Sequence, residues 1–168
     1  MKERYIITNI NPMKTKTIIE ELTQEDLVDL LCTATYGSSW LEIYALDQDG
    51  CGIVREDCAE DRWAKVLLSG KTISFVDHYA EEIHYGELPY EIDRAEDGDG
   101  NVTYEVSLKD IINGLQRCAD GTFKVNGKHE REYMFNCFDT FKESDGGMDN
   151  PQAEALVQII IFGELIYG

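Results

Sequence analysis

Basic side chains are scarce in this chain: 15 lysines and arginines stand against 33 aspartates and glutamates over 168 residues, a formal charge of −18. A surface of that sign repels nucleic-acid phosphates at long range and attracts basic protein surfaces, because the Coulomb interaction changes sign with the partner. Direct nucleic-acid binding is the first function class to fall. Long apolar stretches are lacking too. No uninterrupted aliphatic and aromatic run exceeds that of Ile159 to Phe162, far below membrane-spanning length. The N-terminal segment also has neither the apolar run nor the small-residue cleavage site of a secretory signal. The chain is expected to be cytoplasmic and to stay off membranes. Paired cysteine motifs are missing as well: Cys32, Cys51, Cys58, Cys118 and Cys137 are odd in number, contain no C-x-x-C and lie mostly inside hydrophobic patterns. That pattern predicts reduced, buried thiols, with no disulfide, metal site or cofactor supporting the fold.

Hydrophobic residues nevertheless make up 43% of the chain, enough to build a core, so the charge does not signal disorder. Their spacing predicts an α+β fold, a single compact domain over residues 1–168 in which a mostly antiparallel sheet packs against about four helices. Thr23 with Asp26 and Ser107 with Asp110 open two of these helices, the carboxylate standing in for the capping-box Glu. Asp57 is expected to cap a third, and Asn150, followed by Pro151 at the first helical position, a fourth. Glu130 to Phe141 reads as a further helix. Strands are expected around Tyr5 to Ile10, Thr15 to Ile19, Trp40 to Leu46, Lys71 to Asp77 and Val102 to Val106, with short ones at Phe123 to Val125 and Glu164 to Tyr167. Lys71 to Asp77 and Val102 to Val106 are expected to pair, with residues 78–101 as an excursion at their tip. Residues 1–13 read as an N-terminal extension, Met13 being a second candidate start.

Between Asp77 and Glu105 lie ten carboxylates and one arginine, a local net charge of −9. Glu81, Glu82, Glu87, Glu91, Asp93, Glu96, Asp97 and Asp99, interleaved with Tyr79, Tyr85, Tyr90 and Tyr104, could present a basic groove with phosphate-like charge and aromatic anchors. The same stretch could equally be a solvated loop that keeps the chain soluble, or a loose divalent-cation site. Asp97-Gly98-Asp99-Gly100 echoes the middle of a calcium loop. It lacks the first and twelfth carboxylates, however, and is expected to be a hairpin turn instead. His78, His84 and His129 could act as bases and Cys32 or Cys137 as nucleophiles, but none lies in an elbow or triad signature. Trp40 and Trp63 are read as core anchors, each needing a partner for its N–H.

Three segments carry a resemblance: Leu30-Leu31-Cys32-Thr33-Ala34 with Trp40; Trp63 to Gly70; and the ending Ala155-Leu156-Val157-Gln158-Ile159-Ile160-Ile161-Phe162-Gly163-Glu164-Leu165-Ile166-Tyr167-Gly168. They resemble a family of small acidic proteins of phages and integrative mobile elements in gut Firmicutes. The resemblance implies a mobile-element setting, in which small acidic proteins often inhibit host defence. Two departures stand out: the extra N-terminal residues and the longer acidic excursion. The function this suggests is an accessory protein that binds a basic partner, such as a nuclease or other nucleic-acid-handling defence protein, as a DNA-mimicking decoy. The alternatives are a structural or assembly module and an enzyme with an unrecognised site.

Overall fold

A computed structural model describes residues 5–11, 14–80, 92–125, 127–143 and 147–167. Alternating and β-branched runs give two sheets. Strands β1 (Tyr5–Asn11) and β2 (Lys14–Ile19) form an antiparallel hairpin, in register from Tyr5 opposite Ile19. Strands β3 (Leu41–Tyr44), β4 (Ile73–Asp77), β5 (Asp93–Glu96) and β6 (Val102–Val106) form the main sheet, in the order β3-β4-β6-β5 with every pairing antiparallel. The pairing of β4 with β6 sets Ile73 against Val106, Phe75 against Tyr104 and Asp77 against Val102. Leu41 and Ile43 of β3 stand opposite Asp77 and Phe75. These eight residues are all buried, so they make the core face of the sheet.

Five helices are described: α1 (Gln24–Thr35), α2 (Ala59–Leu68), α3 (Leu108–Asp120), α4 (Lys128–Lys142) and α5 (Asn150–Phe162). The two sequence-read capping boxes form as expected, Thr23 with Asp26 and Ser107 with Asp110, each satisfying backbone donors at a helix start. Helix α5 is apolar around most of its circumference, and nine of its residues, from Ala153 to Phe162, are buried. A helix of that kind belongs in the middle of a fold. It packs against α1, α3 and α4. Its approach to α3 requires Gly114, where an added Cβ would sit 2.5 Å from Ile160 Cγ1 and 2.6 Å from Ile160 Cα.

Two caps differ from expectation by one residue. Helix α2 is capped by Cys58 rather than Asp57. The Asp57 carboxylate turns back instead to accept from the Val54 N–H (2.9 Å) and pair with Lys65 Nζ (2.7 Å), anchoring the preceding loop. Helix α5 is capped by Asp149, in a full capping box with Gln152. Asn150 is its first helical residue, one before Pro151, and donates its amide to the carbonyls of Thr33 (2.9 Å) and Ala34 (3.2 Å), closing the C-terminal end of α1.

Three strand readings are also corrected. The strand read from Trp40 to Leu46 runs from Leu41 to Tyr44. Phe123 to Val125 and Glu164 to Tyr167 do not form strands but meet at a single parallel bridge, Lys124 to Glu164. Finally, the excursion after β4 is not all loop, since β5 lies within it and pairs with β6.

Candidate functional site

The structure distributes the acidic stretch over places with different roles. Glu81, Glu82, Tyr85, Glu87, Tyr90 and Glu91, together with His84, lie outside the described residues. Asp93 and Glu96 sit on β5, an edge strand of the main sheet in which every residue is exposed. Asp97 and Asp99 occupy the turn joining β5 to β6, the hairpin turn that the sequence predicts, with Gly100 at φ 85°. Asp99 is exposed. Asp97 builds the turn: its carboxylate accepts from the Asp99 N–H (2.8 Å), the Asn101 N–H (3.0 Å) and Asn101 Nδ2 (2.9 Å). These bonds, the Asn101 side chain first, hold its pKa below the ordinary carboxylate range.

The ends of the stretch face elsewhere. Glu105 accepts from Ser74 Oγ (2.6 Å) and Thr72 Oγ1 (3.0 Å), a cross-strand bracket on the sheet. Tyr104 is fully buried and meets the Phe162 ring edge-on, so it is no surface anchor. Asp77 is 1% exposed. It accepts from the Tyr167 hydroxyl through both carboxylate oxygens (2.9 Å each) and from the Tyr79 N–H (2.9 Å).

Tyr167, whose hydroxyl that buried carboxylate holds, lines a cavity of about 540 Å³. Its walls come from segments far apart in the chain: Trp40 just before β3, Tyr79 just after β4, Tyr133 on α4, Glu154 and Gln158 on α5, and Tyr167 near the end. The Trp40 and Tyr167 rings lie 4.9 Å apart between centroids, and Tyr79 meets Tyr167 edge-on at 6.3 Å. Trp40 is buried, as expected of a core anchor, and its indole N–H donates to Glu154 Oε2 (3.2 Å).

Gln158, 2% exposed, holds the last described residues in place. Its Oε1 accepts from the Ile166 N–H (2.8 Å) and the Tyr167 N–H (2.6 Å), and its Nε2 donates to the Tyr167 carbonyl (3.1 Å). The amide thereby does for this irregular segment what a ladder partner does for a strand. Burial, with the carboxylates of Asp149 and Glu154 nearby, pushes the Tyr133 phenol above its ordinary range.

The sequence-read catalytic candidates do not converge on this cavity. His78 bridges Glu42 Oε2 (2.9 Å) and Asn101 Oδ1 (3.0 Å) at the surface. His129 is exposed on α4, 4.0 Å from Glu132. Cys32 is half-buried, and burial together with Glu60 raises its pKa. Cys137 is buried, and its thiol is pushed up to about 11, chiefly by burial, which keeps it protonated near neutrality. Cys51 and Cys118 are buried, whereas Cys58 is exposed. Among the described residues no group of three or more His, Cys, Asp or Glu could hold a metal ion, and no helix is long and apolar enough to cross a membrane.

The cavity was not legible as a site. Its aromatic residues are separated by tens of positions with no shared spacing, and each alone reads as core. Only the fold brings Trp40 together with Gln158, Leu165, Ile166 and Tyr167 around a single space. Compared with family models, curated proteins and solved structures, the chain matches none of them.

Proposed function

We propose that this protein acts by binding a basic protein partner, through carboxylates that take the place of nucleic-acid phosphates on that partner. The observation that supports this reading is the β5 edge. Among the described residues Asp93 and Glu96 lie on an edge strand with every residue exposed, leading into the exposed Asp99 at the turn, on a chain of net charge −18. An edge strand charged in this way is guarded against pairing with another strand. It still offers a field that steers a basic surface toward it, an effect of 10- to 1,000-fold on association rates. In the mobile-element setting that the resemblance implies, a partner of matching chemistry is a nuclease or another nucleic-acid-handling defence protein. The protein would then be a competitive decoy.

The test is affinity capture from a host lysate followed by elution with duplex DNA. A dominant basic protein, released by DNA at a salt concentration that does not itself release it, is the expected result. Capture of no basic protein, or of one indifferent to DNA, would remove the decoy reading.

A further inference from the structure

The cavity beside α5 has a chemistry of its own, independent of the acidic edge. Among its described lining residues Glu154 is the single charged side chain, and no Lys, Arg or His lines it. Trp40, Tyr79, Tyr133 and Tyr167 supply aromatic surface from four segments of the chain. Aromatic faces are electron-rich and attract cations, Trp most strongly, and more so when the contact is desolvated. The Glu154 carboxylate has acceptor capacity beyond the Trp40 N–H that it binds, since two oxygens offer about four lone-pair sites. An anion entering here would meet the Glu154 carboxylate with no cation to offset it. A neutral apolar guest would strip water from Glu154 and give nothing back.

The cage is also fixed in advance. The Tyr167 hydroxyl is held by both oxygens of Asp77, its backbone by Gln158, and its ring by Trp40. Preorganisation of this kind lowers the cost of binding. The volume of about 540 Å³ exceeds that of a trimethylammonium group and leaves room for an attached chain.

We propose that this cavity binds an alkylated ammonium group, held by the rings of Trp40, Tyr79, Tyr133 and Tyr167 and neutralised by Glu154. Free quaternary amines and methylated lysine side chains share that chemistry.

Titration calorimetry of the full chain tests it with choline, with its neutral isostere 3,3-dimethylbutan-1-ol, and with short peptides containing lysine or trimethyllysine. Choline, the trimethyllysine peptide or both should bind at least about tenfold more tightly than the matched neutral or unmethylated probe. Binding of the peptide alone makes the ligand a modified side chain of another protein, and binding of choline makes it a small amine. Glu154→Gln, which keeps an acceptor for Trp40, and Tyr79→Ala, on the exposed rim, should each weaken binding about fivefold or more while the melting temperature stays within a few degrees. Asp93→Asn with Glu96→Gln and Asp99→Asn should leave it within about twofold, so that this site and the acidic edge stand or fall separately. Equal binding of choline and its isostere, no binding of any probe at millimolar concentration, or indifference to Glu154→Gln would overturn the proposal.

Discussion

Helix α5 and strand β5 are opposite extremes of one fold. The helix buries nine residues and is gripped by three other helices, whereas the strand exposes all four of its residues and, among the described residues, is paired on one side only. The helix also builds the wall of a cavity whose aromatic rings are locked by hydrogen bonds; the strand presents charge whose effect reaches across solvent. Position in the sheet and core thus separates a fixed, buried surface from an exposed, charged one. Shape and desolvation act where the structure is fixed, and long-range charge acts where removing a side chain costs little.

The largest expected effect lies on the buried side. Gly114→Ala forces a methyl group into the Ile160 backbone and should cost about 3 kcal/mol, read from denaturant unfolding. A stability unchanged within error would mean that α3 and α5 do not approach as closely as described. Gln158→Leu comes next. It leaves the Ile166 and Tyr167 N–H groups without their acceptor and should cost about 2 kcal/mol, with faster amide exchange confined to the C-terminal segment. Unaltered exchange there would break the claim that this amide fixes the cavity wall.

On the exposed side the contrast can be drawn between neighbours. Asp97→Ala removes three hydrogen bonds from the β5–β6 turn and should lower the melting temperature measurably. Neutralising Asp93, Glu96 and Asp99 together should leave the melting temperature level or raise it, since like charges repel in the folded state. If both sets behave alike, the division between turn-building and surface carboxylates is wrong.

The smallest effect expected is a pH dependence at His78. Partial burial pulls its pKa down, but the bonds to Glu42 and Asn101 outweigh that and hold it above the ordinary value. A raised histidine pKa stabilises the fold fully below the unfolded value of about 6.5 and loses that contribution as pH rises through the folded value. Melting curves between pH 5 and 8 should therefore show a small decline that His78→Asn abolishes.

Local chemistry was the legible part of the sequence. The capping boxes at Thr23 and Ser107 and the Asp97 to Asn101 turn follow from residues within a few positions of each other, and the two strands Ile73 to Asp77 and Val102 to Val106 from the alternation within each. What escaped was decided at a distance. Asp149 and Asn150 are both good caps, and Asn150 yields the role because its amide is engaged with the carbonyls of Thr33 and Ala34. Strand β5, Asp-Arg-Ala-Glu, has no strand propensity of its own and exists because β6 offers a pairing edge. The cavity rests on rings brought together by the whole topology, which no spacing rule encodes.

On the proposed reading the exposed carboxylates drive association while remaining dispensable for folding. The most direct measurement is the association rate of the captured basic partner across a salt series, for the native chain and for the variant neutralised at Asp93, Glu96 and Asp99. The account predicts a native rate that falls steeply with salt, exposed charges being screened over about 8 Å at physiological ionic strength. It also predicts a variant that associates more slowly and with a shallower salt slope, at a nearly unchanged dissociation rate. Rates indifferent to both the substitutions and the salt would contradict it and leave the acidic edge a solubility feature.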